Sequence, residues 1–337
     1  MTPGRMLYLV WHRPIGAVKR SIREGGPVEQ WITERGRREM EAAASRLGLG
    51  IADCGLWGSG PHSHKASEAL KRNSEFENKD SRKREKPVEV QMLTGMKYWY
   101  QTAFCLHSLQ QVAGREVVPV VHDDGTLKKE HAEVFKRICR GARFDWLAEI
   151  ESRIERVLPR AKFPFLRKRR DELPLIRKIT DIHAGREGCR LFLDSDLLFF
   201  RKPDFLLDWW DRPDHSIHAV DVINAYGYPL EVLAQVGGQP VPEKVNTGIT
   251  GLKSDEIDWE RMEKWCRALT QNHPASYYQE QALVALHLAE REREAISAKD
   301  YVTLPDLPEA SECRAVMHHY VDLSKKHYFR GNWRRVL

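Results

Sequence analysis

Short apolar runs alternate with stretches of helical periodicity over most of the chain beyond residue 90. Four of these runs are long enough for one buried strand each: residues 116–121, 190–193, 216–220 and 245–252. Apolar residues recur every three or four positions in four further stretches: residues 130–141, 145–158, 175–184 and 258–271. Another long helix is predicted from Met92 through Leu109. Strands that alternate with helices build a sheet with helices packed on its faces, so the sequence predicts an α/β fold.

The first 89 residues have a different pattern from the rest. Residues 27–49 carry apolar positions at helical spacing and meet stop signals at Gly48 and Gly50, which predicts an amphipathic helix. Residues 58–86 are rich in Ser, Lys, Arg and Glu and contain almost no large apolar side chains, which is typical of a charged linker or an exposed helix. We therefore divide the chain into a helical and charged N-terminal extension, residues 1–89, and a domain formed by residues 90–337.

Length and composition fit a globular enzyme. With 337 residues, 42% of them apolar, the chain is able to bury a sizeable core. No apolar run approaches the roughly 20 residues that cross a bilayer, and the first residues lack the apolar region of a signal peptide. The six cysteines form no CxxC pair, so we expect a reducing, cytoplasmic location. The net charge of +6 results from 54 basic and 48 acidic residues and by itself identifies no partner.

The second apolar run ends in an acidic tripeptide. Residues 190–193 lead directly into Asp194-Ser195-Asp196. Open α/β sheets bind ligands at the carboxyl ends of their strands, and extended geometry places both carboxylates on the same side of the chain. Two hard oxygen ligands suit Mg²⁺ or Mn²⁺, which keep coordination positions for phosphate oxygens. A strand can also end in an acidic turn that binds nothing, so the tripeptide alone leaves both interpretations open.

The sequence around this tripeptide is more specific. Residues 191–200, followed by Arg201-Lys202-Pro203, resemble the DxD strand of the GT-A glycosyltransferases. Downstream, residues 245–252 resemble the N-x-G strand of that family, and residues 278–283 resemble its acidic-Gln helix start. The resemblance covers roughly residues 90–337. It implies a GT-A-type, Rossmann-like mixed sheet flanked by helices. It also implies a hexosyltransferase-type enzyme that moves a sugar from a nucleotide-diphosphate donor to an acceptor hydroxyl.

The resemblance further implies roles for individual residues. Asp194 and Asp196 would hold Mn²⁺ or Mg²⁺, and Ser195 would lie at the nucleotide-sugar. The other implied site residues are Lys178 on the helix before the DxD strand, Asn246 and Gly248 in the N-x-G strand, and Glu280 and Gln281 at the helix start. Amides at Asn246 and Gln281 would hydrogen-bond sugar hydroxyls, although such amides also serve strand edges and helix starts. Glu280 replaces the family's usual Asp.

A histidine and a lysine near the C-terminus extend the resemblance. His319 and Lys325 have the spacing of the H-x-x-G-x-x-K element of the retaining glycogenin and bacterial galactosyltransferase family. The resemblance implies His319 as the third metal ligand and Lys325 as a contact to the diphosphate. Asp322 stands where that family has Gly, and the neighbouring His318 is an alternative ligand.

The same element predicts the stereochemistry of transfer. If residues 319–325 act as in the retaining family, the sugar keeps its anomeric configuration, and we predict retention. An inverting enzyme would instead need a carboxylate base opposite the leaving group. The available candidates are Glu280 and Asp221, which follows the strand at residues 216–220 and could also be a structural or acceptor-side carboxylate.

A second enzyme class remains as an alternative. Residues 117–127 approach the apolar strand and D-x-D-G-T motif of the haloacid-dehalogenase-type phosphohydrolases. The nucleophile position, however, is His122, and an imidazole cannot form the aspartyl phosphate that this chemistry requires.

A non-catalytic basic module is the other alternative. Residues 165–170 and the charged linker could hold nucleic acid, and residues 167–170 with Arg334 and Arg335 could dock on an anionic membrane surface. Neither basic segment has the interleaved aromatic residues of a stacking platform, so no specific nucleic-acid partner is expected. The expected partners are a nucleotide-diphospho-sugar donor and a glycan, lipid-linked or protein acceptor, with peripheral contact to an anionic membrane left open.

Overall fold

A mixed sheet of seven strands forms the centre of the protein, whose computed structural model describes residues 26–49 and 86–337. The strands of both sheets, numbered along the chain, are β1 (Val88–Thr94), β2 (Val117–Asp123), β3 (Arg143–Asp145), β4 (Cys189–Leu193), β5 (Leu197–Phe199), β6 (Ser216–Val220), β7 (Val245–Lys253), β8 (Arg293–Ala295), β9 (Tyr301–Thr303) and β10 (Met317–His319). The large sheet has the order β3-β2-β1-β4-β7-β6-β8, and a small sheet has the order β5-β10-β9.

Strand direction changes once on each side of β7. Strands β3, β2, β1 and β4 are mutually parallel, whereas β7 is antiparallel to both of its neighbours, β4 and β6. Eight of the nine residues of β7 are buried, as expected for a strand that is covered on both faces. Because of its direction, β7 brings its amino end to the edge of the sheet where β1, β4 and β6 end.

Helices cover the sheet. They are α1 (Pro27–Ala44), α2 (Trp99–Val112), α3 (Lys129–Ile138), α4 (Leu147–Val157), α5 (Pro164–Glu172), α6 (Arg177–His183), α7 (Asp204–Asp211), α8 (Leu230–Gly237), α9 (Trp259–Asn272), α10 (Gln279–Leu288), α11 (Leu307–Glu312) and α12 (Lys325–Arg330). Two hydrophobic clusters result, and β7 contributes Ile249 to one of them and Val245 and Leu252 to the other. Every residue of α10 is buried, so its polar amino end is held inside the protein. Among the described residues, no helix is both long and apolar enough to cross a membrane.

The predicted α/β architecture is confirmed. The helices predicted at 27–49, 130–141, 145–158, 175–184 and 258–271 and the strands predicted at 116–121, 190–193, 216–220 and 245–252 are present within a few residues of those bounds. The helix predicted from Met92 through Leu109 is wrong at its start, because residues 88–94 form β1 and the helix begins at Trp99. Strand β1 contains residues on both sides of the division predicted at residues 89 and 90. The linker predicted for residues 58–86 lies, up to residue 85, outside the described residues.

Candidate active site

A cleft of about 620 Å³ opens at the edge of the large sheet where β1, β4 and β6 end and β7 begins. Its lining includes every site residue predicted from the sequence, namely Lys178, Asp194, Ser195, Asp196, Asp221, Asn246, Gly248, Glu280, Gln281, His319 and Lys325. The carboxyl ends of parallel strands meet at one edge of a sheet, which is where ligands bind in open α/β folds. The topology therefore brings residues from distant parts of the sequence into one cleft.

Two lysines neutralise the carboxylates that follow β4. Lys178 on α6 is buried, and its Nζ lies 2.7 Å from Asp194 Oδ1. At the start of α12, Lys325 Nζ lies 3.0 Å from Asp196 Oδ2. Burial alone would raise the pKa of Asp196, but Lys325 and His319 outweigh this effect and hold that pKa well below its usual range. Asp196 is therefore an anion at neutral pH.

His319 reaches the same carboxylates from the small sheet. Strand β10 pairs with β5 so that His319 stands opposite Leu197, the residue after Asp196. Its Nε2 lies 3.3 Å from Asp196 Oδ1 and 3.8 Å from Asp194 Oδ2. His318 points elsewhere, since its Nε2 lies 2.8 Å from Glu309 Oε1 and its Nδ1 lies 2.9 Å from the Tyr320 hydroxyl. Of the two histidines, only His319 faces the cleft.

Gly248 provides the space that the His319 ring occupies. A Cβ at position 248 would lie 2.3 Å from His319 Cε1 and 2.6 Å from Nδ1, distances that no side chain tolerates. Within the described part of the chain, His319 Nδ1 is buried without a hydrogen-bond partner. The orientation of this ring therefore depends on packing against the backbone of β7.

Asp194, Asp196 and His319 form a donor set that fits a divalent cation. One ligand atom from each residue lies within 4.8 Å of the others. Carboxylate oxygens suit Mg²⁺ and Mn²⁺, and a neutral imidazole supplies a third ligand.

An amide cluster forms the neighbouring wall. Asp221 Oδ2 accepts hydrogen bonds from Asn246 Nδ2 at 3.0 Å and from Gln281 Nε2 at 3.3 Å. Gln281 Nε2 also donates to the Ala225 carbonyl, and Asn246 Oδ1 accepts from the Gly248 amide. Asp221 therefore fixes the orientation of both amides that the sequence indicated.

Glu280 is the buried carboxyl of the cleft. Its Oε2 accepts a hydrogen bond of 2.8 Å from Thr247 Oγ1. Burial raises the pKa of Glu280 to about 7, although Lys178 and the Thr247 hydrogen bond oppose the shift. The cleft thus contains a carboxyl group that exchanges its proton near neutral pH.

Several residues in and beside the cleft were not predicted from the sequence. Thr102 Oγ1 on α2 lies 2.8 Å from Thr94 Oγ1 at the end of β1 and 3.1 Å from Ser195 Oγ. Thr94 was hidden because its segment was assigned to a helix, and Thr102 belongs to no motif. Exposed apolar side chains also line the cleft: Tyr98, Val222, Ile223, Tyr277 and Tyr278. Exposed apolar groups of this kind mark surfaces that bind partners or ligands.

The arginines expected on a basic surface are buried. Arg167, Arg169 and Arg170 are at most 6% exposed. Arg167 pairs with Glu155, Arg169 bonds Gln279, and Arg170 pairs with Asp181. The alternative of a basic surface at residues 165–170 therefore loses these three arginines, because their guanidinium groups are engaged in the protein interior.

The residues that suggested a phosphohydrolase have structural roles at the end of β2. His122 is buried, with Nε2 2.9 Å from Gln91 Oε1 and Nδ1 3.3 Å from Asp145 Oδ2. Asp123 accepts hydrogen bonds from the amides of Gly125 and Leu127 and so stabilises the turn. The second aspartate of the motif, Asp124, does line the cleft, but His122 at the nucleophile position does not.

Comparison with known proteins gives distant structural likenesses. No protein-family model and no curated protein matches the chain. Similar solved structures include the apo bifunctional glycosyltransferase WbbM, with 12% identity over 73% of this chain and 47% of that chain at a TM-score of 0.48. Mouse xyloside xylosyltransferase 1 has 13% identity over 69% of this chain and 97% of that chain, at a TM-score of 0.46. The galactosyltransferase LgtC with donor and acceptor sugar analogues has 14% identity over 70% of this chain and 87% of that chain, at a TM-score of 0.45. The chain thus spans about half the length of WbbM.

Proposed function

We propose that residues 90–337 form a GT-A-type glycosyltransferase that moves a sugar from a nucleotide-diphosphate donor to an acceptor hydroxyl with the help of a divalent metal. The observation that supports this proposal most is the convergence of Asp194, Asp196 and His319 with Lys178 and Lys325 in one cleft. Such a mixture of hard metal ligands and cations matches a metal-bound diphosphate, whose charge it would offset.

Mn²⁺ or Mg²⁺ would be held by Asp194, Asp196 and His319. When bound, such a cation supplies charge stabilisation for the leaving diphosphate. Lys325 contributes from the protein side, because its side chain is 38% exposed and is able to contact a phosphate oxygen. Lys178 is buried against Asp194 and holds that carboxylate in place. Ser195 lies between the two acidic residues, where its hydroxyl contacts Thr102.

The amide cluster would hold the sugar. Asn246 and Gln281 are oriented by Asp221, so the second N–H of Asn246 and the remaining lone pairs of the two amide oxygens have fixed positions. Fixed hydrogen-bonding groups of this kind select hydroxyl groups of defined geometry. Gly248 contributes by leaving room for His319. The acceptor, a glycan, a lipid-linked compound or a protein, would contact the exposed apolar side chains at the cleft.

We further propose retention of the anomeric configuration. His319 and Lys325 both contact Asp196, so the C-terminal element meets the DxD carboxylates, as the resemblance to the retaining family implies. Asp221 is engaged by two amides, which leaves it poorly suited to act as a base for inversion. Proton NMR of the first-formed glycoside from an α-linked donor tests this, and a β-linked product would redirect attention to Glu280, whose pKa is near 7.

The proposed function is tested by screening nucleotide-sugars for slow hydrolysis. The wild-type protein with Mn²⁺ should release nucleotide from one class of donor, and chelation of the metal with EDTA should abolish the release. The Asp196→Asn variant is the matched control, because it keeps the size of the side chain and removes the charge. Absence of metal-dependent release from any UDP- or GDP-sugar would contradict the proposal.

A further inference from the structure

Helix α1 packs closely against α12, the helix that begins at Lys325. Gly36, Met40 and Ala44, four residues apart along α1, form its buried face. A Cβ at position 36 would lie 2.1 Å from the carbonyl oxygen of Phe329, so only a glycine allows the two backbones to approach this closely. Met40 and Ala44 are fully buried in the same cluster as Phe329. The contact is therefore part of the hydrophobic core.

Polar contacts fix α1 at both ends. Arg330 of α12 donates to the Glu29 carbonyl at 2.8 Å and to Thr33 Oγ1 at 3.0 Å. Towards the other end, Arg137 of α3 donates to the Ser45 carbonyl at 2.8 Å. Helix α1 thus links α12 to the helix layer on the large sheet.

Helix α12 has only six residues and depends on its packing for its position. Tyr328 is fully buried and stacks on Tyr320 at 4.7 Å, and Lys325 at its start reaches Asp196. A displacement of α12 would therefore move Lys325 Nζ away from Asp196 Oδ2.

We propose that α1 is a positioning element of the cleft, in which Gly36 sets the place of α12 and so the place of Lys325. The inference rests on the proposed function only where it concerns diphosphate binding. It assigns a role at the site to a helix that lies outside the region of family resemblance and contributes no side chain to the cleft.

The variant Gly36→Leu tests the proposal. Leucine favours an isolated helix over glycine by roughly 1 kcal/mol, so any loss reflects the contact with α12 and not the helix itself. Ala42→Leu is the matched control, because it adds a leucine to the exposed side of the same helix. If Gly36→Leu does not fold, Gly36→Ala replaces it, since its Cβ already overlaps the Phe329 carbonyl oxygen.

A first measurement is independent of any nucleotide. Acylation of lysines followed by mass spectrometry reports the reactivity of Lys325, with the exposed neighbour Lys326 as internal reference. In the Gly36 variant, the reagent should acylate Lys325 several-fold faster, relative to Lys326, than in the wild type. The reason is that the ion pair between Lys325 and Asp196 is lost. An unchanged ratio in a folded Gly36 variant would overturn the proposal.

A second measurement uses a double-mutant cycle with UDP and GDP as probes in the presence of Mn²⁺. Gly36→Leu should weaken binding of the preferred nucleotide about ten-fold, the scale of one charge-assisted hydrogen bond, and should have little further effect in a Lys325→Ala background. Equal losses in both backgrounds would show a general loosening and contradict the positioning role. If the wild-type protein binds neither nucleotide, the proposed function fails, whereas the acylation result still decides whether α1 places Lys325.

Discussion

Gly248 is the residue on which the orientation of His319 depends. Because a Cβ there would lie 2.3 Å from His319 Cε1, Gly248→Ala should push the imidazole away from Asp196. We expect the affinity for Mn²⁺ to fall by about 10- to 100-fold, the usual effect of disturbing a group that orients a metal ligand. Calorimetric titration with Mn²⁺ measures the change. Gly331→Ala is the control, since a Cβ at position 331 meets nothing within 4 Å. Unchanged Mn²⁺ affinity in Gly248→Ala would remove His319 from the metal site.

Glu280 should make stability depend on pH. Its pKa of about 7 in the folded protein exceeds the ordinary value of 4.5, so the folded state binds the proton more tightly than the unfolded state. This contribution to stability is fully present below pH 4.5 and is lost as the pH rises through 7. The variant Glu280→Gln lacks this pH-dependent contribution. The unfolding free energy of the variant, relative to the wild type, should rise by up to about 3 kcal/mol over that range.

Urea unfolding of both proteins in EDTA, at several values of pH between 4.5 and 8, gives this difference directly. A difference that stays constant with pH would mean that Glu280 is not held as an acid with a raised pKa in the cleft.

Asp322 replaces the glycine of the resembling family at a position with an unusual backbone conformation. The resembling family has glycine at this position, and Asp322 adopts a φ of 42°, in the left-handed region that glycine enters freely. Aspartate tolerates this region better than most residues because its short side chain forms local hydrogen bonds. Despite the replacement, Lys325 lies at the cleft and contacts Asp196, and its contact to a diphosphate stays a prediction.

At the scale of elements, prediction succeeded where one periodicity dominated a segment. The strand β4 and helix α9 have uniform patterns, and their bounds were predicted within about a residue. Strand β1 was assigned to a helix because Met92 and Met96 happen to stand at helical spacing before α2. Pairing with β2 and β4 determines the strand, and such long-range pairing leaves no local signal.

Helix α5 illustrates a charged segment that belongs to the interior. Arg170 and Asp181 are both fully buried, with Nε and Oδ1 2.5 Å apart. Arg170→Leu would leave the Asp181 carboxylate without its main partner and should lower the unfolding free energy by about 3–5 kcal/mol. Lys168→Leu is the control, because Lys168 is exposed on the same helix and should change stability by about 0.5 kcal/mol or less. Urea unfolding distinguishes the two variants. Equal stability of both would mean that Arg170 is solvated and that α5 presents a basic surface.

At the scale of the whole molecule, the site depends on how two sheets and a terminal helix assemble. The sequence indicated eleven of the residues that line the cleft, since the motifs fall at strand ends and helix starts. The family resemblance placed His319 beside Asp196, but the sequence did not indicate the small sheet that carries His319 there, or that α1 packs on the helix that begins at Lys325. Both depend on contacts between residues far apart in the chain, which hydrophobic periodicity does not encode.

On the proposed function, the cleft binds a nucleotide diphosphate together with a divalent metal. Calorimetric titration of the wild-type protein with UDP and with GDP, each with and without Mn²⁺, tests it most directly. We predict binding of one nucleotide that requires Mn²⁺ and that is lost in Asp196→Asn, while the circular dichroism spectrum shows that the variant stays folded. Nucleotide binding that is equally strong without Mn²⁺, or unchanged in Asp196→Asn, would contradict a metal-dependent nucleotide site in the cleft.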